Sequence, residues 1–341
     1  MAIDRSMENI KKILVIRFSS IGDIVLTTSF LNSVRQLHDS IEIHYLTLEK
    51  FSSILELQPD IDRLIILNGN SAAKDLVKMN EYIQLSKYDK IYDLHGSIRS
   101  RIITFGLSKI TTRVKKPRFL RFMLFQFHIN MFPKNYSSVI MYHQCLQDYD
   151  LLEIPKTNLR LSNQEKRAAQ STLENLGIEE DFIVLVPGAA WPQKQWQVNK
   201  YNLAINNIID ETDKKIVMLG SKDDMICKSI RKFNANVIDY SGKTNLREAM
   251  AIISISNTVF GSDTGLLHIA ESLGKKISMI LGPTSKETGG GVSNTDSVNI
   301  ESEIWCRPCS QNGKSECYRS IQYCMDGIPI NKVVKSVVER A

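Results

Sequence analysis

Long apolar runs are missing from this sequence. None approaches the ~18 residues that a membrane-spanning helix requires, which excludes a helical membrane span. The opening stretch MAIDRSMENIKK has no apolar core of the kind a secretory signal carries, so the expected location is the cytoplasm. Cysteine is scarce, with six in 341 residues, too few for a disulfide scaffold. No low-complexity tract and no short-period repeat interrupts the chain. Nor does a G-x-G-x-x-G open the first helix. A carboxylate stands there instead, where a pyrophosphate would have to lie, which argues against a nicotinamide-dependent dehydrogenase.

What is present is an ordinary globular composition, 43% apolar and 23% charged, at a length that suits two domains. The net charge of +6 is unevenly spread. Between Ser86 and Asn135 eleven Lys/Arg face two Asp, a local excess of +9, which leaves the rest of the chain at about −3. Such a patch points to an anionic partner at one surface. No nucleic-acid recognition module accompanies it, and no protein partner is indicated.

The hydrophobic pattern alternates between short Ile/Val-rich runs and segments of helical period. KKILVIRF, EIHYLTLE, RLIILNG and DKIYDLHG read as strands in the first half, and IVLTTSFLNSVRQL as a helix. A polar helical stretch from about Asn158 to Gly177 reads as a linker. The same grammar then restarts with DFIVLVPGAAW, KKIVMLGSKDD, VIDYSG, NTVFGSD and KKISMILGPT. This predicts an α/β protein of two Rossmann-like domains, residues 1–160 and 161–341, whose parallel sheets present their carboxyl ends to a shared cleft. The terminal IPINKVVKSVVERA reads as an amphipathic helix able to cross back to the first domain.

Three strand-to-helix junctions carry candidate chemistry. In VFGSDTGLLHIAESLG, Ser262, Asp263, Thr264 and Gly265 form the turn and His268 lies one turn into the helix. This is either a capped helix with a core-facing histidine or an anion site built from first-turn amides and the helix dipole. In VPGAAWPQKQW, Lys194 sits between Trp191 and Trp196 at the same predicted sheet edge, placed to neutralise a phosphate. In VIRFSSIGDIVLTTSF, Ser19, Ser20 and Gly22 surround Asp23 at a helix start, where Asp23 is either a cap or a carboxylate base.

Two further segments stand out. Arg99 and Arg101 follow DLHGS at a strand's carboxyl end. KKPRFLRFMLFQFHINMF mixes Lys115, Lys116, Arg118 and Arg121 with Phe119, Phe122, Phe125 and Phe127. It suits either an interfacial helix on an anionic bilayer or a core-filling aromatic stripe. Cys306, Cys309, Cys317 and Cys324 fall within nineteen residues. They offer one zinc-like pair without the second, so structural metal stands beside packed thiols or redox-linked pairs.

Together, IRFSSIGDIVLTTSF, PGAAWPQKQW and GSDTGLLHIAESLGKKISMILGPTS resemble the glycosyltransferase family that includes the lipopolysaccharide heptosyltransferases, in order and spacing. The resemblance implies the two-domain, metal-independent GT-B architecture, with acceptor on the first domain and nucleotide-sugar on the second. It implies that Asp23 is the catalytic base and that Lys194 holds the donor diphosphate. Ser262, Asp263, Thr264, Gly265 and His268 then form the donor motif, and Asp223 or, preferentially, Asp224 meets the nucleoside. Arg17, Ser19, Ser20, Gly22, Arg99, Arg101 and His143 fall on the acceptor side. Ala189 and Ala190 depart from the hydroxyl residues of some heptosyltransferases, and Arg17 from their lysine. The implied reaction is inverting transfer of a sugar, ADP-heptose being the favoured donor. The implied acceptor is a phosphorylated, lipid-linked core saccharide at the cytoplasmic face of an anionic inner membrane, with no catalytic cofactor. A different nucleotide-sugar donor or surface-glycan acceptor on the same fold, or a non-catalytic nucleotide- or nucleic-acid-binding protein, are the alternatives.

Overall fold

The computed structural model describes residues 10–38, 40–146, 154–230 and 236–341. In chain order the elements begin with β1 (Lys12–Ile16), α1 (Ile21–Leu37), β2 (Glu42–Leu48), α2 (Glu49–Ser52), β3 (Arg63–Leu67) and α3 (Ala73–Leu85). There follow β4 (Lys90–Asp93), α4 (Ile98–Ile103), β5 (Thr111–Arg113), α5 (Arg118–Phe127), α6 (Ser138–His143) and α7 (Asn163–Glu174). Then come β6 (Phe182–Val186), α8 (Val198–Thr212), β7 (Lys215–Met218), α9 (Met225–Ser229), β8 (Val237–Asp239) and α10 (Leu246–Ile255). The chain closes with β9 (Thr258–Ser262), α11 (Gly265–Ser272), β10 (Lys276–Leu281), β11 (Val298–Glu301), α12 (Tyr323–Asp326) and α13 (Ile330–Val338).

Two compact units result. The first comprises residues 1–116 and 138–160, the second 117–137 and 161–341. Residues 117–137, expected inside the first half, group with the second. In the first unit β3-β2-β1-β4-β5 form one wholly parallel sheet. In the second, β11-β10-β9-β6-β7-β8 form another. Strands such as β6 (FIVLV) are buried along their whole length because helices cover both sheet faces. That double covering is why these strands read as unbroken apolar runs.

Each sheet has one place where the strand order reverses, between β1 and β4 in the first and between β6 and β9 in the second. Loops leaving the two flanking strands part there and open a crevice at the carboxyl ends. Both candidate sites lie at these positions.

One expectation changes. The stretch read as a linker is α7, started by a capping box between Ser162 and Glu165. It is fastened to α10 by a bidentate Arg247–Glu165 pair at 2.6 and 2.7 Å, so it is a working layer of the second unit. The terminal helix α13 docks on α8 and β10 of its own unit, burying Val333, Val334 and Val337.

Candidate functional site

In the first unit the site grows from the β1–α1 junction. Asp23 is the third residue of α1, and its Oδ2 accepts from the Ser20 amide at 3.2 Å and the Ser20 hydroxyl at 2.9 Å. The same oxygen meets Arg17 Nη2 at 2.6 Å. Arg17 spans the point of strand reversal, since its Nη1 donates to the Leu94 carbonyl beyond β4 at 2.7 Å. Oδ1 accepts from Tyr142 Oη at 2.9 Å, and the Arg17 guanidinium lies 5.5 Å from the centre of the Tyr142 ring. Arg17 is 7% exposed, Asp23 35%, so the carboxylate alone of the pair faces solvent. Burial pushes the Asp23 carboxyl upward, but Arg17, both Ser20 donors and Tyr142 together outweigh it and hold it at about 2.

His95, just past Leu94, stacks on Phe18 at 4.9 Å. Its Nδ1 is buried and finds no hydrogen-bond partner among the described residues. Burial, then the charges of Arg17 and Lys116, drive it down to about 4, so it is a neutral imidazole near neutrality. The loop that carries it is pinned by Asp93, which accepts from the Gly96 amide at 2.8 Å, the Ser100 hydroxyl at 2.8 Å and Arg113 Nε at 3.1 Å.

Asp23, Arg17, Ser20 and Gly22 thus share one junction, with Ser19 half-buried beside them. Arg99 and Arg101 lie exposed on α4, which follows β4. His143 does not belong with them. It is fully buried, its Nε2 bonded to Ser33 Oγ at 2.8 Å and its Nδ1 to the Val139 carbonyl at 2.8 Å. Both ring nitrogens are committed within the protein, so the expected acceptor contact is corrected to a core histidine between α6 and α1.

In the second unit the β6 and β9 loops are bridged by Lys194 Nζ and Asp263 Oδ2 at 2.6 Å. Thr284 donates to the same oxygen at 2.9 Å, and His268 Nε2 lies 3.8 Å from Oδ1. Burial opposes ionisation of Asp263, yet Lys194, His268 and Thr284 keep its carboxyl below the ordinary value. Thr264 precedes α11 in extended conformation and makes no side-chain cap bond. Thr264 therefore does not supply the expected side-chain cap; the Leu267 amide of the first turn donates to the Thr264 carbonyl at 3.2 Å, and the Gly265 and Leu266 amides ahead of it face the helix mouth.

Ser262 is a second correction. β9 runs through Gly261 to Ser262, two residues beyond the expected end. Ser262 Oγ is spent on the Pro187 carbonyl at 2.8 Å and Tyr201 Oη at 3.0 Å, with no exposure. It fastens the two loops and offers nothing to a ligand.

Asp224 Oδ2 accepts from the Ser221 amide at 2.6 Å. Its carboxylate occupies the room left by two glycines. A Cβ at Gly188 would sit 2.6–2.8 Å from that carboxylate, and one at Gly220 would sit 3.0 Å from its Oδ2. Asp224 thereby stands at the same sheet edge as Lys194.

The cysteine-bearing segment straps this site from outside. Cys309 and Ser310 amides donate to the Pro283 carbonyl at 3.1 and 3.2 Å. Gln322 Nε2 donates to the Gln193 carbonyl at 2.6 Å, and Trp196 Nε1 to the Met325 carbonyl at 3.1 Å. Gly313, at φ +75°, lies flush on the Lys194 stem, where a Cβ would come 2.5 Å from Lys194 Cγ. Among the described residues no three His, Cys, Asp or Glu are placed to hold a metal ion. The zinc reading of Cys306, Cys309, Cys317 and Cys324 is corrected accordingly, and no disulfide joins them.

Sequence reasoning missed Tyr142, His95 and Thr284. Tyr142 lies 119 positions from Asp23, so no local spacing could link them; the DLHGS motif did carry a signal for His95.

Comparison with known proteins places these features in context. The model of glycosyltransferase family 9 (heptosyltransferase) matches residues 76–318. Lipopolysaccharide heptosyltransferase 1 of Campylobacter coli is 22% identical over 84% of this chain and 88% of its own length. Lipopolysaccharide heptosyltransferase 2 of Escherichia coli is 22% identical over 81% and 84%. Among solved structures, E. coli ADP-heptose LPS heptosyltransferase II aligns with TM-score 0.70 at 21% identity, covering 96% of this chain and 97% of that one. E. coli heptosyltransferase WaaC with ADP aligns with TM-score 0.66 at 18% identity, covering 97% and 100%. The fold is that of GT-B glycosyltransferases.

Proposed function

The chain belongs to glycosyltransferase family 9, and from that premise we propose that it moves heptose from ADP-heptose onto the inner core of lipopolysaccharide, with inversion at the anomeric carbon. It is a glycosyltransferase. The observation that carries the finer reading is the division of labour between the two points of strand reversal. One presents a solvent-facing carboxylate, the other a lysine at the N-terminal mouth of a helix.

Asp23 accepts the proton of an acceptor hydroxyl through Oδ1, the oxygen that Arg17 and Ser20 leave to Tyr142. The acceptor oxygen forms its bond to the anomeric carbon as the bond to the donor diphosphate breaks, and that electron pair leaves with ADP. Lys194 and the α11 amides meet the charge that develops there. A positioned base contributes about 10²–10⁴ in rate, and stabilisation of the leaving group at least a comparable factor. With its carboxyl at about 2, Asp23 is ionised near neutrality but a weak base, so proton transfer comes late, as the acceptor oxygen acquires positive charge. Asp224 stands where the nucleoside would lie, and Arg17, Ser19, Ser20, Gly22, Arg99 and Arg101 on the acceptor side.

A lipid-anchored acceptor places the reaction at the anionic, cytoplasmic face of the inner membrane. No helix of the described residues is long and apolar enough to cross a membrane, so association there would be peripheral.

The test is transfer from ADP-heptose by wild type and Asp23→Asn, with calorimetric binding of ADP alongside. Transfer should fall by about 10²–10⁴ while ADP binding persists. Undiminished transfer would sink the assignment of Asp23, and mass spectrometry of core oligosaccharide from a strain lacking this chain identifies the missing sugar.

A further inference from the structure

The helix α5 is built the wrong way round for a soluble protein. An ordinary surface helix turns its apolar stripe inward. Here Leu124 alone is fully buried, while Phe119, Phe122 and Phe127 are 63%, 54% and 58% exposed. Ile129 and Met131 continue the exposed apolar surface past the helix end.

This surface does not stop at α5. Phe122 and Phe127 rings pack edge to face at 5.7 Å, and the helix ends on His128. The His128 ring meets Trp305 at 5.8 Å. The Arg319 guanidinium then lies 5.8 Å from the Trp305 ring and 4.5 Å from the Tyr323 ring. Trp305 is 69% exposed, as is Tyr318. Two segments almost two hundred residues apart in sequence therefore make one continuous aromatic face within the second unit, larger than scattered surface apolar residues would give.

The charge beside it is mainly basic. Within the second unit, residues 117–137 carry Arg118, Arg121 and Lys134 and no acidic residue. Across the strap, Arg307, Lys314 and Arg319 stand against Glu303 and Glu316. Exposed phenylalanines with tryptophan and tyrosine at their margin and arginines among them match the headgroup region of a bilayer. There, aromatic rings sit at the interface and basic side chains meet lipid phosphates.

We propose that the face formed by Phe119, Phe122 and Phe127 of α5 with Trp305, Tyr323 and Arg319 of the cysteine-bearing strap docks this protein on a bilayer of anionic phospholipid. It rests on the proposed reading only for the reason a membrane is met. The strap that leans on Lys194 is thus also the element that touches lipid.

The experiment is sedimentation of the full chain with phosphatidylcholine vesicles, with and without phosphatidylglycerol. The wild type should bind the anionic vesicles and be released by salt. The double variant Phe119→Ser/Phe122→Ser should bind at least tenfold more weakly, and Trp305→Ser should also weaken binding. Arg118→Glu should lower binding by about fivefold for each unit of charge removed. All these side chains are exposed, so the variants retain the native circular dichroism and melting temperature. The double variant should transfer sugar to a soluble, delipidated core oligosaccharide at the wild-type rate, yet lose transfer to the same acceptor embedded in vesicles. Vesicle binding unchanged by these substitutions would overturn the proposal. So would a face that instead mediates a concentration-dependent oligomer, seen by light scattering and dispersed by the double variant. A wild type that binds vesicles but transfers to no acceptor would refute the catalytic reading and leave the docking face standing.

Discussion

Arg17→Met puts the electrostatics of the first site to a direct test. Arg17 contributes a 2.6 Å ion pair to Asp23 and is the first of the influences that pull its carboxyl from an ordinary 3.8 to about 2 against burial. Without the guanidinium, burial is opposed only by Ser20 and Tyr142, and the carboxyl should return to 3.8 or above. At pH 3 wild-type Asp23 is about nine-tenths ionised; a carboxyl at 3.8 would be about one-seventh ionised, a roughly sixfold difference. The assay is kcat/KM against pH, with Arg17→Lys as a charge-retaining control. Wild type should stay flat into the acid range, the methionine variant should show a limb shifted up by about two pH units, and the lysine variant should fall between.

Stability follows the same sign. A depressed folded-state value adds stability above pH 3.8 and loses it as the pH falls through about 2. The gap between wild type and variant should therefore close on acidification. A residual cost remains at every pH, because the Leu94 carbonyl loses its 2.7 Å donor, about 1–3 kcal/mol for a buried group left unpaired. Identical acid limbs in all three proteins would show that Asp23 is not the titrating base.

Four further outcomes are expected. Tyr142→Phe removes the Oδ1 donor and should slow transfer roughly fivefold to tenfold, raising the acid limb less than Arg17→Met does. Lys194→Met should weaken ADP binding by about tenfold to a hundredfold, measured by calorimetry; unchanged binding would remove Lys194 from the donor site. Gly261→Ala places a Cβ 1.9 Å from the Val186 carbonyl oxygen at φ +151°. Backbone cannot yield there as a side chain would, so the melting temperature should drop by about 6 °C or more. Glu165 is held at about 2 mainly by its hydrogen-bonded pairing with Arg247; after discounting for solvent screening, Glu165→Gln should cost about 1 kcal/mol near neutrality. That cost should disappear in denaturation curves as the pH falls from 4.5 toward 2.

The strands were legible because parallel sheets covered on both faces demand apolar runs, as in KILVI of β1 and FIVLV of β6. The junction loops were legible because small residues, an acid and a helix start fall within a few positions of one another, as at Ser20–Asp23. β5 (TTR) and β11 (VNIE) left no such trace, since short edge strands need little apolar surface. His143 could not be distinguished from a ligand, because sequence does not show that Ser33 and the Val139 carbonyl occupy both its nitrogens. The environment of Asp23 was half visible. Its place at the helix start by itself favours a lowered pKa, but the dominant partner, Arg17, and the weaker one, Tyr142, come from tertiary packing.

The Lys194–Asp263 bridge has a consequence for which anions the second site admits. Asp263 already neutralises the ammonium and acts as an internal competitor, so an incoming phosphate must share or displace it. Thr284 and His268 already stand beside that carboxylate. A singly charged anion would exchange one partner for another with little net gain. A diphosphate that takes Lys194 with one phosphate and reaches the α11 amides with the other gains contacts that Asp263 never supplied. On the proposed reading, the bridge is a threshold that inorganic anions of the cell fail to cross and a nucleoside diphosphate does not.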